Sequence, residues 1–310
     1  MKQVAVIIIN YNTSKFTLEC IQAVVAKTSE TIPYEIIVVD NNSELSDYKN
    51  LKKHFPNQPN ITLHRSNINT GFGGGNMFGS QFANARYVLF LNNDAMLKND
   101  CISILYQFME DNQKVGVCTA QNYDEHDTFV PSFDHNKGIR RLLFGRSFLE
   151  KINPKVYPNR KKEYTTPLEV NWVNGSFLFF RNDAFEKIGG FDTNIFLYCE
   201  EMDLCNRLRL QGYSSVLVPQ ATILHYQSKS SGFSDTINKE AMLSELYVNK
   251  KHNSFLHYKM IQLYYLISLP FKPKKWYLLP VILRGCSLKH SLKQKQTLRF
   301  LPSDNSATNE

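Results

Sequence analysis

The chain has 310 residues, 43% hydrophobic and 21% charged, enough for one full core plus an appendage and ordinary for a globular protein. Its net charge of +8 is local: residues 249–299 carry 11 Lys/Arg and no Asp or Glu, leaving 36 − 11 = 25 basic against 28 acidic residues elsewhere. The six cysteines form no C-x-x-C pair and no disulfide-like framework, and no apolar run reaches the ~18 residues of a membrane span.

Met1-Lys2-Gln3 leads into an apolar run too short for a signal core, so no signal peptide and a cytoplasmic chain are expected. Val4–Ile9 reads as a strand buried on both faces. Phe16, Cys20 and Val24 follow at helical spacing, then a strand over Glu35–Val39 that ends in Asp40-Asn41-Asn42-Ser43, and a short strand over Ile61–His64. Gly71 to Gly75 reads as a glycine-rich loop, with a helix over Asn76–Asn84 after it. A strand over Arg86–Leu91, a helix through Met109 capped by Asp100, and a strand over Val115–Thr119 complete the alternation. That alternation predicts an α/β fold with an open, mostly parallel sheet, whose ligands sit at the carboxyl ends of strands.

Gln121 to Thr166 reads poorly as regular structure and is expected to be an insertion near the acceptor side. Strands are predicted over Val170–Val173, Ser176–Arg181, Ser215–Val218 and Thr222–His225. Helices are predicted over Asn182–Ile188, closed by Gly189-Gly190, and over Met202–Leu210. Beyond Asn238 the pattern is helical, and Leu256, Met260, Leu263 and Ile267 mark one face. Basic, aromatic and aliphatic residues interleave over 249–299, a mixture that fits an anionic membrane surface better than nucleic acid. The last ten residues are polar and expected to be disordered.

Two acidic segments carry the chemistry. Asn92-Asn93-Asp94 ends a strand and offers a carboxylate to a hard cation; one Asp and one His suffice where phosphates and waters fill the other positions. Glu200-Glu201-Met202-Asp203 opens a helix. Three carboxylates so close repel one another, which raises one toward neutrality, as a general base requires. Glu201 is the expected base and Glu200 its rival, with Asp203 pairing Arg207 one turn on. His225 ends a strand beyond, a candidate metal ligand by its position relative to Glu201. Together these residues predict a metal-bound diphosphate leaving group facing a hydroxyl nucleophile, hence sugar transfer from a nucleotide sugar. Asp40 could accept a bond from the N3–H of a pyrimidine base or form an Asx turn with Asn41-Asn42.

At this point the chain resembles the family 2 glycosyltransferases of GT-A fold, in particular a rhamnosyltransferase-like branch. The resemblance spans about Val4 to Tyr226, roughly 70% of the chain. It rests on Val6-Ile7-Ile8-Ile9-Asn10-Tyr11-Asn12, Val38-Val39-Asp40-Asn41-Asn42-Ser43, Asn69-Thr70-Gly71-Phe72-Gly73-Gly74-Gly75-Asn76 and Leu91-Asn92-Asn93-Asp94. It continues in Gly175-Ser176, Gly189-Gly190-Phe191-Asp192 and Tyr198-Cys199-Glu200-Glu201-Met202-Asp203-Leu204-Cys205. The resemblance implies a Rossmann-like central sheet with flanking helices. It implies nucleotide binding by Asn10, Tyr11, Asn12, Asp40, Asn42, Gly71, Phe72, Gly73, Asn76, Asn92 and Asn93, and a donor or acceptor wall of Trp172, Asn174, Gly175 and Ser176. Asp94 and His225 would hold Mg²⁺ or Mn²⁺, and Glu201 would stand at the base position. Two departures stand out: the signature's first Asp is Asn92, and the usual Asp at the base position is Glu201.

The expected organisation is a catalytic domain over 1–235, a basic amphipathic helical extension over 236–300 and a tail over 301–310. The expected reaction is inverting transfer of a sugar, rhamnose from its dTDP donor first and UDP-hexoses or UDP-N-acetylhexosamines as rivals, to a surface-polysaccharide or lipid-linked glycan. The enzyme would lie peripherally on the inner membrane face. A nucleotide-sugar-binding protein without catalysis is the alternative from another class.

Overall fold

The computed structural model describes residues 1–226 and 234–301; the tail expected over 301–310 lies, but for its first residue, outside them. The amino-terminal half runs β1 (Lys2–Asn10), α1 (Ser14–Lys27), β2 (Tyr34–Asn41), α2 (Leu45–His54) and β3 (Ile61–Ser66). It continues through α3 (Gly71–Ser80), β4 (Ala85–Asn92), β5 (Ala95–Leu97), α4 (Cys101–Asp111) and β6 (Val115–Tyr123). The stretch read as irregular carries β7 (Phe129–Val130), β8 (Phe133–Asp134), α5 (Ile139–Phe144) and α6 (Arg146–Ile152). There follow β9 (Leu168–Val170), β10 (Trp172–Val173), β11 (Phe177–Arg181), α7 (Asn182–Lys187), α8 (Glu200–Leu210) and β12 (Ser214–His225). The extension holds α9 (Asp235–His252), α10 (Phe255–Ser268) and α11 (Leu279–Arg284), with single 3-10 turns at Pro273–Leu278, Leu288–His290 and Leu292–Lys295.

The main sheet has the order β3-β2-β1-β4-β11-β6-β12-β5, with β7 on β6 and β9 on β12. β3, β2, β1 and β4 are mutually parallel, as are β6 and β12, while β11 enters antiparallel between β4 and β6. Val4 to Ile8 have no exposure because helices cover both faces. One layer of core joins the strands to α1, α2 and α4 through Cys20, Val24, Leu51 and Leu105. The other joins them to α7 and α8 through Phe185, Leu204 and Leu208. Asp100 caps α4, its carboxylate accepting from Ser103 N at 3.1 Å.

Some expectations change, and some features carried none. Gly71 to Gly75 is the first turn and a half of α3, not a loop. Its glycines let the helix lie hard on its surroundings: a Cβ at Gly75 would sit 3.1 Å from Asn41 Nδ2, and one at Gly79 2.6 Å from Ile7 Cγ2. Helix α2 escaped the pattern because Leu51 is its single buried residue. The two short strands before His225 are one strand, β12, with a register shift between Val218 and Thr222. The apolar stripe of α10 faces solvent: Leu256 is 71% and Ile267 61% exposed, while Tyr258 and Ile261 pack inward.

Candidate active site

The parallel strands end together: Asn10 pairs with Asp40, and Ile9 with Asn92, in register. The chain turns away beyond each end, and a cavity of about 850 Å³ opens there. This is where an open parallel sheet places its ligand.

At one end of the cavity Tyr11, Asn41, Asn69, Gly71 and Phe72 form the wall. Gly71 takes φ +76°, and a Cβ there would fall 2.1 Å from Phe196 O, so only glycine brings this backbone to the cavity edge. Several residues expected to touch a nucleotide lie behind this wall instead. Asn10 is buried, its Nδ2 2.9 Å from Asp40 Oδ1 and its Oδ1 accepting from Thr17. Asp40 is fully buried, and its second oxygen pairs with Arg65 at 2.5 Å. Arg65 also bonds Ser43 O and stacks on Tyr48. The Asp40 carboxylate therefore turns no free acceptor toward the cavity. Asn12 takes a left-handed φ of 57° and accepts from Glu44 N. Asn42 donates to Thr297 O, Gly73 faces Phe191, and Asn76 donates to Phe72 O.

Asn92, Asn93 and Asp94 all reach the cavity. Asn92 N bonds Ser176 O, and the Asn93 amide is held by Thr13 and Thr17. The pairing of His225 with Ala95 in β5 carries the imidazole beside Asp94: Nε2 lies 3.3 Å from Oδ1. Asp94 is 1% exposed, and its Oδ1 has no hydrogen-bond partner among the described residues. An orphaned, buried carboxylate oxygen facing a ring nitrogen is what two ligands of one cation present. No cluster of three or more such side chains occurs among the described residues, so phosphates and waters would complete the shell.

The cavity wall also holds Trp172, Asn174, Gly175, Ser176, Glu200 and Glu201. Tyr198 and Cys199 both adopt left-handed φ, 70° and 68°, immediately before α8. This strained entry aims the two glutamates into the cavity at the positive end of the helix. Burial lifts the Glu201 carboxyl above the ordinary carboxylate range, against the Gly175 N–H and the Lys137 charge, which pull it down. Burial lifts Glu200 further, reinforced by the negative charge of Glu201. Asp203 takes no part: it is fully buried, with Arg207 at 2.6 Å, His252 at 2.7 Å and Lys251 at 2.8 Å. The expected Arg207 pair is present, and α9 adds Lys251 and His252.

Arg65, Lys137 and Arg160 escaped the sequence reading. Lys137 lines the cavity with its Nζ 2.8 Å from Glu245 Oε2; a charged residue in a loop without periodicity leaves no signal. Arg160, also in the wall, pairs with Asp134.

A family model described as Glycosyl transferase family 2 matches residues 5–189. The chain belongs to this family. The curated relatives it resembles include rhamnosyltransferases. The family 2 chain is 29% identical over 204 residues to rhamnosyltransferase WbbL of Escherichia coli K12, covering 62% of this chain and 73% of that one. It is 43% identical over 74 residues, 23% of this chain and 24% of the other, to the N-acetylglucosaminyl-diphospho-decaprenol L-rhamnosyltransferase of Mycobacterium tuberculosis. Among solved structures it superposes on GalNAc-T7 with UDP, GalNAc and Mn²⁺ at TM-score 0.60 and 15% identity, covering 93% of this chain and 55% of that one. It superposes on a mannosyltransferase of Pyrobaculum calidifontis with GDP-mannose and Mn²⁺ at TM-score 0.55 and 15% identity, covering 91% and 73%. The fold of this glycosyl transferase is therefore GT-A.

Proposed function

We propose that this family 2 glycosyl transferase is an inverting, divalent-metal-dependent enzyme. It moves L-rhamnose from dTDP-rhamnose to a hydroxyl of a surface-polysaccharide or lipid-linked glycan. The observation that carries this reading is the meeting of two groups in the lining of one cavity: the Asp94–His225 pair, and the raised Glu201 carboxyl.

An acceptor hydroxyl lying between Trp172 and Glu201 attacks the anomeric carbon from the face opposite the nucleotide. Glu201 takes the hydroxyl proton as the new bond forms, and a carboxyl raised above the ordinary range is a better proton acceptor than an ordinary one. Gly175 N–H and Lys137 hold the carboxylate in place while it is charged. Asp94 and His225 would hold Mg²⁺ or Mn²⁺, which neutralises the departing diphosphate. The titles of two structural neighbours name Mn²⁺ with a nucleotide or nucleotide sugar. The names of the relatives support rhamnose.

The anionic inner membrane face is the surface we assign to residues 249–299. Leu256, Met260, Leu263, Ile267, Phe271 and Trp276 are exposed in a segment with 11 Lys/Arg and no carboxylates. Helix α5 lies against α10 and adds exposed Leu143 and Phe144. No described helix is long and apolar enough to cross a membrane.

The deciding experiment is nucleoside-diphosphate release from dTDP- and UDP-sugars, with Mg²⁺ or Mn²⁺ and with EDTA. Slow hydrolysis of dTDP-rhamnose that stops in EDTA is expected. Preference for a UDP-sugar would replace the donor, and release untouched by EDTA would remove the metal.

A further inference from the structure

Residues 291–299 run across the mouth of the cavity and are tied down differently at their two ends. At the first end, Ser291 Oγ and Leu292 N bond the carboxylate of Glu240 in α9 at 2.6 and 2.8 Å. Ser291 has no exposure and Glu240 3%, so this end is a buried anchor. Lys293 Nζ adds a bond to Thr193 O at 2.6 Å. The segment then crosses, and Leu292 and Gln296 become part of the cavity wall.

The second end lands on the loops that follow β2 and β3. Asn42 Nδ2 donates to Thr297 O at 3.0 Å, and Arg299 N donates to Asn67 O at 2.8 Å. Arg299 Nη1 pairs with Glu44 at 2.6 Å, with side chains 40% and 61% exposed. An exposed pair of this kind is weak and screened by salt. The segment is thus fixed firmly at Glu240 and lightly at Glu44, and the light end lies over the part of the cavity walled by Tyr11, Asn41 and Asn69.

We propose that residues 291–299 are a strap over the nucleotide end of the cavity, latched by Arg299 and Glu44, which sets how fast the nucleoside diphosphate leaves. The proposal rests on the nucleotide-sugar reading of the cavity. Opening at the latch frees the mouth without disturbing the core, because the bonds at that end come from two loops and one exposed ion pair. Gln296, between anchor and latch, borders the bound nucleotide when the strap is down.

The test measures dissociation of dTDP and of UDP, each with Mn²⁺, from the full-length protein by stopped-flow displacement at low and high salt. Arg299→Ala should speed dissociation about fivefold at low salt, the size an exposed pair can supply, and lose the part of the salt dependence that the latch causes. Thermal unfolding of the variant should match the wild type. The reversed pair, Glu44→Arg with Arg299→Glu, should restore slow release. Equal rates in wild type, Arg299→Ala and the reversed pair would overturn the strap while leaving the nucleotide site intact. Failure of the wild type to bind either nucleotide would overturn both the strap and the reading on which it rests.

Discussion

Gly175 and Glu201 are in contact so close that a Cβ on the glycine would lie 2.0 Å from Glu201 Oε1. The turn between β10 and β11 thus sets where the glutamate carboxyl stands. Gly175→Ala should swing that carboxyl out of line and lower kcat at least about tenfold, a loss of ~1.4 kcal/mol of transition-state stabilisation. Affinity for nucleoside diphosphate should hold. Parallel titration calorimetry and kinetics would check the split, and loss of nucleotide binding would deny Gly175 this specific role.

Glu201→Gln keeps the shape and removes the basic oxygen. Loss of a general base costs about 10²–10⁴ in rate. Burial raises the folded-state pKa of Glu201, and the base works only when deprotonated. Activity must therefore rise with pH through a midpoint above the ordinary glutamate value of ~4.3. A kcat/KM profile with no rise at or above the ordinary glutamate value would be inconsistent with this assignment, as would full activity in the Gln variant.

Asp94→Asn and His225→Ala each remove one of the two proposed ligands. Mn²⁺ binding, followed by electron paramagnetic resonance in the presence of dTDP, should weaken about 10-fold or more in either variant, as removal of one of so few protein ligands implies. Undiminished Mn²⁺ binding in both would separate the metal from this pair of residues.

Asp203 is a stability residue. Burial alone would raise its pKa, but His252, Arg207 and Lys251 bring it down to about 2. A depressed carboxyl adds stability above its unfolded value of ~3.9 and loses it as pH falls toward 2. Asp203→Asn leaves the largely buried Arg207 without its carboxylate, although Lys251 keeps Asp192 at 2.7 Å, and should cost about 3–5 kcal/mol. Its unfolding free energy should also lose part of its acid sensitivity between about pH 4 and 2. Chemical denaturation across that range reads out both effects.

Leu263→Glu with Ile267→Glu places two carboxylates on the exposed face of α10. Sedimentation with vesicles containing phosphatidylserine should show binding by the wild type that falls with salt, and little by the double variant. Equal binding by both would move the contact elsewhere or dismiss it.

Much of the site was legible because buried parallel strands announce themselves as unbroken Val/Ile runs, and their ends are where polar residues gather. Asn92-Asn93-Asp94 was read on that basis, and Glu200-Glu201-Met202-Asp203 from three close carboxylates at a helix start. The roles of Asn10 and Asp40 were not, since a polar residue at a strand end reads alike whether it faces a ligand or, as here, a buried Arg65. The stripe Leu256–Met260–Leu263–Ile267 was read correctly as a stripe. Helix α10 also packs Tyr258 and Ile261 on its inner side, so periodicity alone did not say which side meets solvent. Gly71–Gly75 misled because glycine marks a loop and a close helix packing equally well. The strap of 291–299 has no periodic pattern and became visible only through its contacts.

The placement of β11 between β4 and β6 governs the order in which the enzyme can be completed. Those two strands have no pairing with each other, so during synthesis the sheet has a slot in its middle until residues 177–181 emerge. β12 must then join β6 before His225 can meet Asp94, 131 positions earlier in the chain. Pairings so distant in sequence form late and leave open edges exposed meanwhile. A newborn chain lacking β12 cannot bring His225 to Asp94, so maturation of the proposed metal site would report the last step of sheet assembly.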